Sequence, residues 1–370
     1  MLHRIQLCPH CEKILMAVLR LQEAILVYAC ASASVWLPSV ADFPTMAPSA
    51  AQWFIGKLQR GAKLTKFGTA LKALFDHVRD DPLGGQEIVE AFQNDVKFPS
   101  SVDDPVFEFQ FALRLDAATQ KVVKELMVLF YETLAGANFP SAVHGEPEDF
   151  TRDLLLEGFE RANPKLQVCP ACDGQKPSKI EAKLLADADH YLPKSLYPFL
   201  AVHPGNLVPV CLECNQRIKG DTDPVLDHAT TPLANIFLPY VVPASEHLEL
   251  CIRRDGGKGL AIEFHDRSAP GSRRVESLQA IFALDKRWPG RLDGQKDSVV
   301  DALMAAGERR RDAGEEVSEQ VLESLLTTSP REAERYTGRS PFFLLKRSYQ
   351  EFALHDPAEK LGLIAQFEGK

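Results

Sequence analysis

Two Cys-x-x-Cys pairs, Cys169/Cys172 and Cys211/Cys214, flank a polar stretch that carries Asp189, His190, Asn206 and Asn215. Each short knuckle can present two sulfurs to one ion, and two such knuckles supply the four thiolates of a tetrahedral zinc site. The spacing therefore predicts a structural Zn2+ held by the four cysteines. Between and beside them lie groups of another kind. Asp189 and Asn215 offer hard oxygen donors suited to Mg2+ or Mn2+, and His190 brings an imidazole whose reference pKa of about 6.5 leaves it largely available as a base at neutral pH. These are the parts that phosphodiester hydrolysis requires: a base for the attacking water, and cationic help for the phosphate and the departing 3′ oxygen.

The elements that must position these groups are legible in the same stretch. A strand ends near His190, residues 192–205 form a loop, and a second strand over 207–210 runs into Cys211. A helix opens around Leu212 and carries Asn215 and Lys219 on its first turns. A two-stranded hairpin with one helix buries too little apolar surface to be stable alone, so metal–sulfur closure is expected to stabilise it directly. Adjacent strand residues point to opposite faces. Asp189 and His190 can serve one site only if the backbone twists or bends there.

Asp-His followed by Tyr-Leu-Pro-Lys-Ser, then Pro-Gly-Asn-Leu-Val-Pro leading into Cys-x-x-Cys-Asn and a lysine, resembles the HNH endonuclease motif of the ββα-metal nucleases. The last letter of the motif is Asn215 in place of His, which leaves the metal a neutral oxygen ligand. The resemblance implies a metal-dependent endonuclease acting on DNA, with Asp189 and Asn215 as ligands of a catalytic Mg2+ or Mn2+. It further implies His190 as general base and Asn206 as the brace of the loop that holds the histidine. Asp187, His203 and His228 are additional candidate ligands, and Lys194, Arg217 and Lys219 are candidates for the DNA backbone. The layout also looks like the HNH effectors of bacterial anti-phage systems such as Septu, which act with a partner ATPase. DNA and a partner ATPase, or another defence-system protein, are thus the expected partners. A non-catalytic zinc-stabilised nucleic-acid-binding or adaptor protein stays open as the alternative, although it has no reason to carry Asp189, His190, Asn206 and Asn215 together.

Composition bounds the rest. A chain of 370 residues with 45% hydrophobic side chains can bury a substantial core in two or three domains. Its net charge of -9 argues against a chain-wide electrostatic footprint for nucleic acid, so binding needs a local basic surface or a partner that supplies one. The eight cysteines show no secreted-disulfide spacing, which fits a reducing, cytoplasmic setting. The uncharged run 24–41 is interrupted by Pro38 and preceded by Glu12 and Glu23 where basic residues would be needed, so neither a membrane span nor a signal peptide is expected. Cys8-Pro-His-Cys11 is a further Cys-x-x-Cys without a second pair nearby.

The expected fold class is α+β in four consecutive parts. Residues 1–45 form an N-terminal extension without an assigned role, and Met46 offers an alternative start. A helical domain spans 46–163, with amphipathic segments at 66–79 and at 116–136, the latter capped by Asp116 and stopped by Gly136. The zinc-braced HNH module spans 164–228. An α+β region covers 229–370, opened by a β-hairpin in which Leu248, Leu250 and Ile252 alternate before a turn at 255–259. Arg253, Arg254, Arg267, Arg273 and Arg274 begin the only positive run long enough to track a phosphate backbone.

Overall fold

The computed structural model describes all residues except 32–35, 80, 178, 181–182, 185, 227–231, 257–258, 329 and 369–370. His228 and the hairpin-tip residues Gly257 and Lys258 therefore lie outside the described residues. The fold is mixed α+β, with helices joined by small two-stranded antiparallel sheets. It divides into two compact units, neither continuous in sequence. The larger comprises residues 5–164 and 177–242, and the smaller residues 1–4, 165–176 and 243–370.

The larger unit is built on helices whose ends are marked in the sequence. Helix α1, Pro9–Cys30, has Cys8 as its N-cap and Pro9 at its first position, and buries Ile14, Leu15, Val18, Leu19, Ile25 and Leu26. In α2, Lys66–Val78, the Thr65 hydroxyl accepts from the Gly68 N–H. In α3, Pro82–Asp95, the Asp81 carboxylate accepts from Gly84. The Asp116 carboxylate caps α4, Ala117–Gly136, through Ala118 and Thr119. Val123, Leu126, Met127, Phe130 and Leu134 recur at three- and four-residue steps on the buried face of α4, each contributing about 1.5–3 kcal/mol by leaving water. Phe67 of α2 meets Phe130 edge-on, with ring centroids 5.2 Å apart. Helix α5, Arg152–Ala162, adds Leu155, Leu156 and Phe159. The N-terminal segment is no appendage, because the apolar face of α1 belongs to the same core as α2 and α4.

On this core sits the hairpin of β1, Asp187–His190, and β2, Leu207–Val210, antiparallel with His190 opposite Leu207 and Asp189 opposite Val208. The loop between the strands folds inward. Phe199 packs edge-on against Phe92 and Phe111, both at 5.2 Å, and Ala188, Val202 and Leu207 join the helical core. The hairpin thus gains apolar burial from the helices, a support the local sequence did not disclose when it left stability to the metal.

The smaller unit holds a second hairpin, β3 Leu248–Arg254 with β4 Leu260–Asp266, in the register expected from alternation, with Leu248, Leu250 and Ile252 buried. It also holds helices α6 Pro289–Asp312, α7 Phe343–His355 and α8 Pro357–Glu368. Gly307 of α6 is pressed against Phe367, whose ring would lie 2.9 Å from any added Cβ. No helix among the described residues is long and apolar enough to cross a membrane.

Candidate functional site

The first knuckle is a tight turn. The Cys169 N–H donates to the Gly174 carbonyl, and Asp173 adopts a left-handed φ of 58°. The Asp173 carboxylate is completely buried, pairs with His3 Nε2 at 2.7 Å and accepts from the Leu344 N–H at 3.2 Å. Trp288 Nε1 donates to the Cys172 carbonyl at 3.3 Å. The sulfur atoms of Cys169, Cys172, Cys211 and Cys214 all lie within 4.8 Å of one another. A tetrahedron of sulfurs about 2.3 Å from a zinc ion has edges of about 3.8 Å, so one ion such as zinc fits this soft, thiolate-only donor set.

After Cys211 and Leu212 the chain forms a π-helix, Glu213–Lys219, whose widened turn is closed by Gly220 N–H donating to Asn215 O at 2.9 Å. Lys219 closes over the hairpin. Its ammonium donates to Asp189 Oδ1 at 3.2 Å, to the His190 carbonyl at 2.6 Å and to the Gly220 carbonyl at 3.3 Å. Lys219 is only 2% exposed, so the expectation that it contacts DNA is corrected. A lysine placed by a helix over two strand ends neutralises a buried carboxylate. The other oxygen, Asp189 Oδ2, is buried with no hydrogen-bond partner. Burial raises the Asp189 pKa, and the nearby Lys219 cation opposes that shift.

His190 is 6% exposed, its Nε2 lying 2.9 Å from the Ala201 carbonyl. A carbonyl only accepts, so Nε2 carries the hydrogen and Nδ1 keeps the lone pair. Burial above all, with Lys194 and Lys219 adding repulsion, pushes the imidazole pKa down to about 3, so the ring is neutral at physiological pH. Tyr131 of α4 stands edge-on to it at 4.2 Å and donates its hydroxyl to the Ala188 carbonyl at 3.2 Å. The Lys194 ammonium lies 5.2 Å from the Tyr131 ring centroid. Asn206 is completely buried. It accepts from the Leu192 N–H at 2.7 Å and donates to the carbonyls of Leu192 and Leu200, tying both ends of the loop that follows His190.

The β1–β2 ladder runs from Asp187 to His190 without a bulge, and the Asp189 and His190 side chains have separate partners, as the strand pleat dictates. Asn215, expected beside Asp189, instead donates its amide to Asp187 Oδ2 at 3.0 Å. Asp187 is a hub. It also accepts from Gln216 at 2.7 Å and pairs with Arg152 at 2.6 Å, and Arg152 in turn donates to the Ala186 carbonyl at 2.8 Å. Arg217 is exposed. His203 is a buried turn residue whose Nδ1 accepts from Gly205, and burial pushes its pKa down to about 4. In the smaller unit the basic run is largely committed. Arg253 pairs with Glu263 at 2.6 Å, Arg254 with Asp356 at 2.9 Å and Arg273 with Glu276 at 2.9 Å.

Sequence reasoning missed Tyr131, Arg152 and the pairing of Lys219 with Asp189. The four-residue step from Asn215 to Lys219 was the available signal for the last. Nothing local signals the first two. Comparison with family models, with curated proteins and with solved structures finds no match.

Proposed function

We propose that the chain is an HNH-type endonuclease that hydrolyses DNA phosphodiester bonds. The observation that carries this reading is one antiparallel hairpin bearing both a buried carboxylate with an unpartnered oxygen, Asp189 Oδ2, and a neutral imidazole, His190, on a loop fastened by Asn206. The unpartnered oxygen fits a cation ligand. Asp189 and Asn215 would hold Mg2+ or Mn2+, and the bound ion supplies charge to the phosphate and to the departing oxygen. His190 Nδ1 takes the proton of the attacking water, while Nε2–H stays on the Ala201 carbonyl and fixes the ring. A phosphate anion beside the ring favours the imidazolium and so restores the basicity that burial removes.

Access requires the Tyr131 and Lys194 cover to swing away, Asn215 to leave Asp187, and the regular strand to twist at Asp189–His190 so that both side chains face one phosphate. That closure, with the net charge of -9, fits an anti-phage effector whose engagement of DNA is set by a partner such as an ATPase. The test is plasmid nicking with Mg2+, Mn2+ or EDTA. Cutting that needs the divalent ion and falls at least about 100-fold in His190→Ala supports the reading, and equal cutting by that variant overturns it. The 6% exposure of His190 and the commitment of Lys219 to Asp189 favour a second reading, a zinc-stabilised nucleic-acid-binding or adaptor protein. DNA binding without cutting under any metal condition would select it.

A further inference from the structure

Cys8 and Cys11 lie far in sequence from the zinc knuckles. Cys8 is the N-cap of the 22-residue helix α1 and accepts the Cys11 N–H on its sulfur at 3.4 Å. The positive end of a long helix is a setting in which sulfur nucleophiles occur. Both cysteines are free thiols. Gly158 of α5 faces both. A Cβ there would lie 2.2 Å from Cys11 Sγ and 2.9 Å from Cys8 Sγ, so only glycine leaves room for the pair. The two thiols differ in access. Cys8 lines a cavity of about 720 Å3 with His10, Glu146, Phe150 and Arg161, whereas Cys11 is 1% exposed behind it and donates to the Leu154 carbonyl at 3.9 Å. Among the described residues, the four knuckle cysteines are the one group of three or more metal-type ligands within reach of one another. Cys8 and Cys11 therefore offer two sulfurs and fall short of a four-ligand zinc site.

We infer that Cys8 and Cys11 form a redox-active dithiol that exchanges with low-molecular-weight disulfides entering this cavity. Cys8, as thiolate, attacks one sulfur of R–S–S–R, forming Cys8–S–S–R and expelling RS−, which takes up the proton that Cys8 has released. Cys11 then gives up its proton and attacks Cys8 Sγ, closing the Cys8–Cys11 disulfide and expelling the second RS−, which takes that proton. The protein loses two electrons and two protons, and the disulfide is reduced to two thiols. Burial, and after it the contact with Cys8, raises the Cys11 pKa well above the ordinary thiol value, which leaves the first attack to Cys8. Arg161 and the carboxylates of Glu146, which also pairs with Lys13 at 2.6 Å, and Glu148 line the cavity and suit a disulfide bearing both signs of charge, such as oxidised glutathione.

The experiment treats the reduced full-length chain with oxidised glutathione, quenches with an alkylating agent and maps each cysteine by peptide mass spectrometry. The expected result is an internal disulfide on the peptide holding Cys8 and Cys11, and a trapped glutathionyl adduct on Cys8 in Cys11→Ser. In Cys8→Ser, glutathione release is expected to slow at least about tenfold. The wild-type map needs no variant to fold. If in that map Cys8 and Cys11 stay fully alkylated while the oxidant is consumed elsewhere, or is not consumed at all, the inference is overturned. An adduct that forms first on Cys11 likewise overturns it.

Discussion

Replacing Lys219 by Met removes the hydrogen-bonded cation of a carboxylate that is 3% exposed and whose second oxygen is already without a hydrogen-bond partner. Methionine preserves most of the volume, so the change tests charge and not packing. Breaking one side of a buried, hydrogen-bonded ion pair costs about 3–5 kcal/mol, most of it the penalty of stranding the other charge. Protonation offers Asp189 a partial escape, because burial already raises its pKa and losing Lys219 raises it further. A carboxylate with a raised folded-state pKa stabilises the fold below its unfolded value and loses that contribution as pH rises. The deficit of Lys219→Met against wild type should therefore be largest near pH 8 and shrink towards pH 4.5. Adding Asp189→Asn to the variant removes the stranded charge and should recover more than about 1 kcal/mol. Urea unfolding followed by tryptophan fluorescence at both pH values is the assay. A deficit below about 1 kcal/mol, or one that grows on acidification, would refute the claim that Lys219 neutralises a buried Asp189.

Two further outcomes can be checked. The chain should copurify with one zinc for its four-cysteine cluster, and Cys211→Ser should lose that zinc in elemental analysis; equal metal content in the variant would dismiss the site. Burial pushes the Asp95 carboxyl up to about 6 from the ordinary value of 3.8, although the Gln110 and Phe111 N–H groups donate to it. Its raised pKa means that stability present below about pH 4 is lost as pH climbs through 6. Wild type should therefore lose about 2.5 kcal/mol relative to Asp95→Asn between pH 4 and pH 7.5, and a pH-independent difference in unfolding free energy would contradict the burial argument.

What the sequence determined by itself was whatever a short window can encode. The spacing of four cysteines foretold one sulfur cluster, and three- and four-residue apolar steps marked the helix from Ala117 to Gly136, down to its Asp116 cap. Alternation set the strand at 248–254, while the strand ending near His190, the strand over 207–210 and Asn206 as the brace of their loop were expectations tied to the motif resemblance. Only the tertiary structure decided which distant groups meet. It joined residues 5–164 to 177–242 in one unit, set α1 into the core, stood Tyr131 against His190, drew Lys219 off the surface onto Asp189 and gave Asn215 to Asp187. Local periodicity reports which face of an element is apolar. Which element covers that face, and hence which charge loses its water, is a long-range packing outcome that no single window contains.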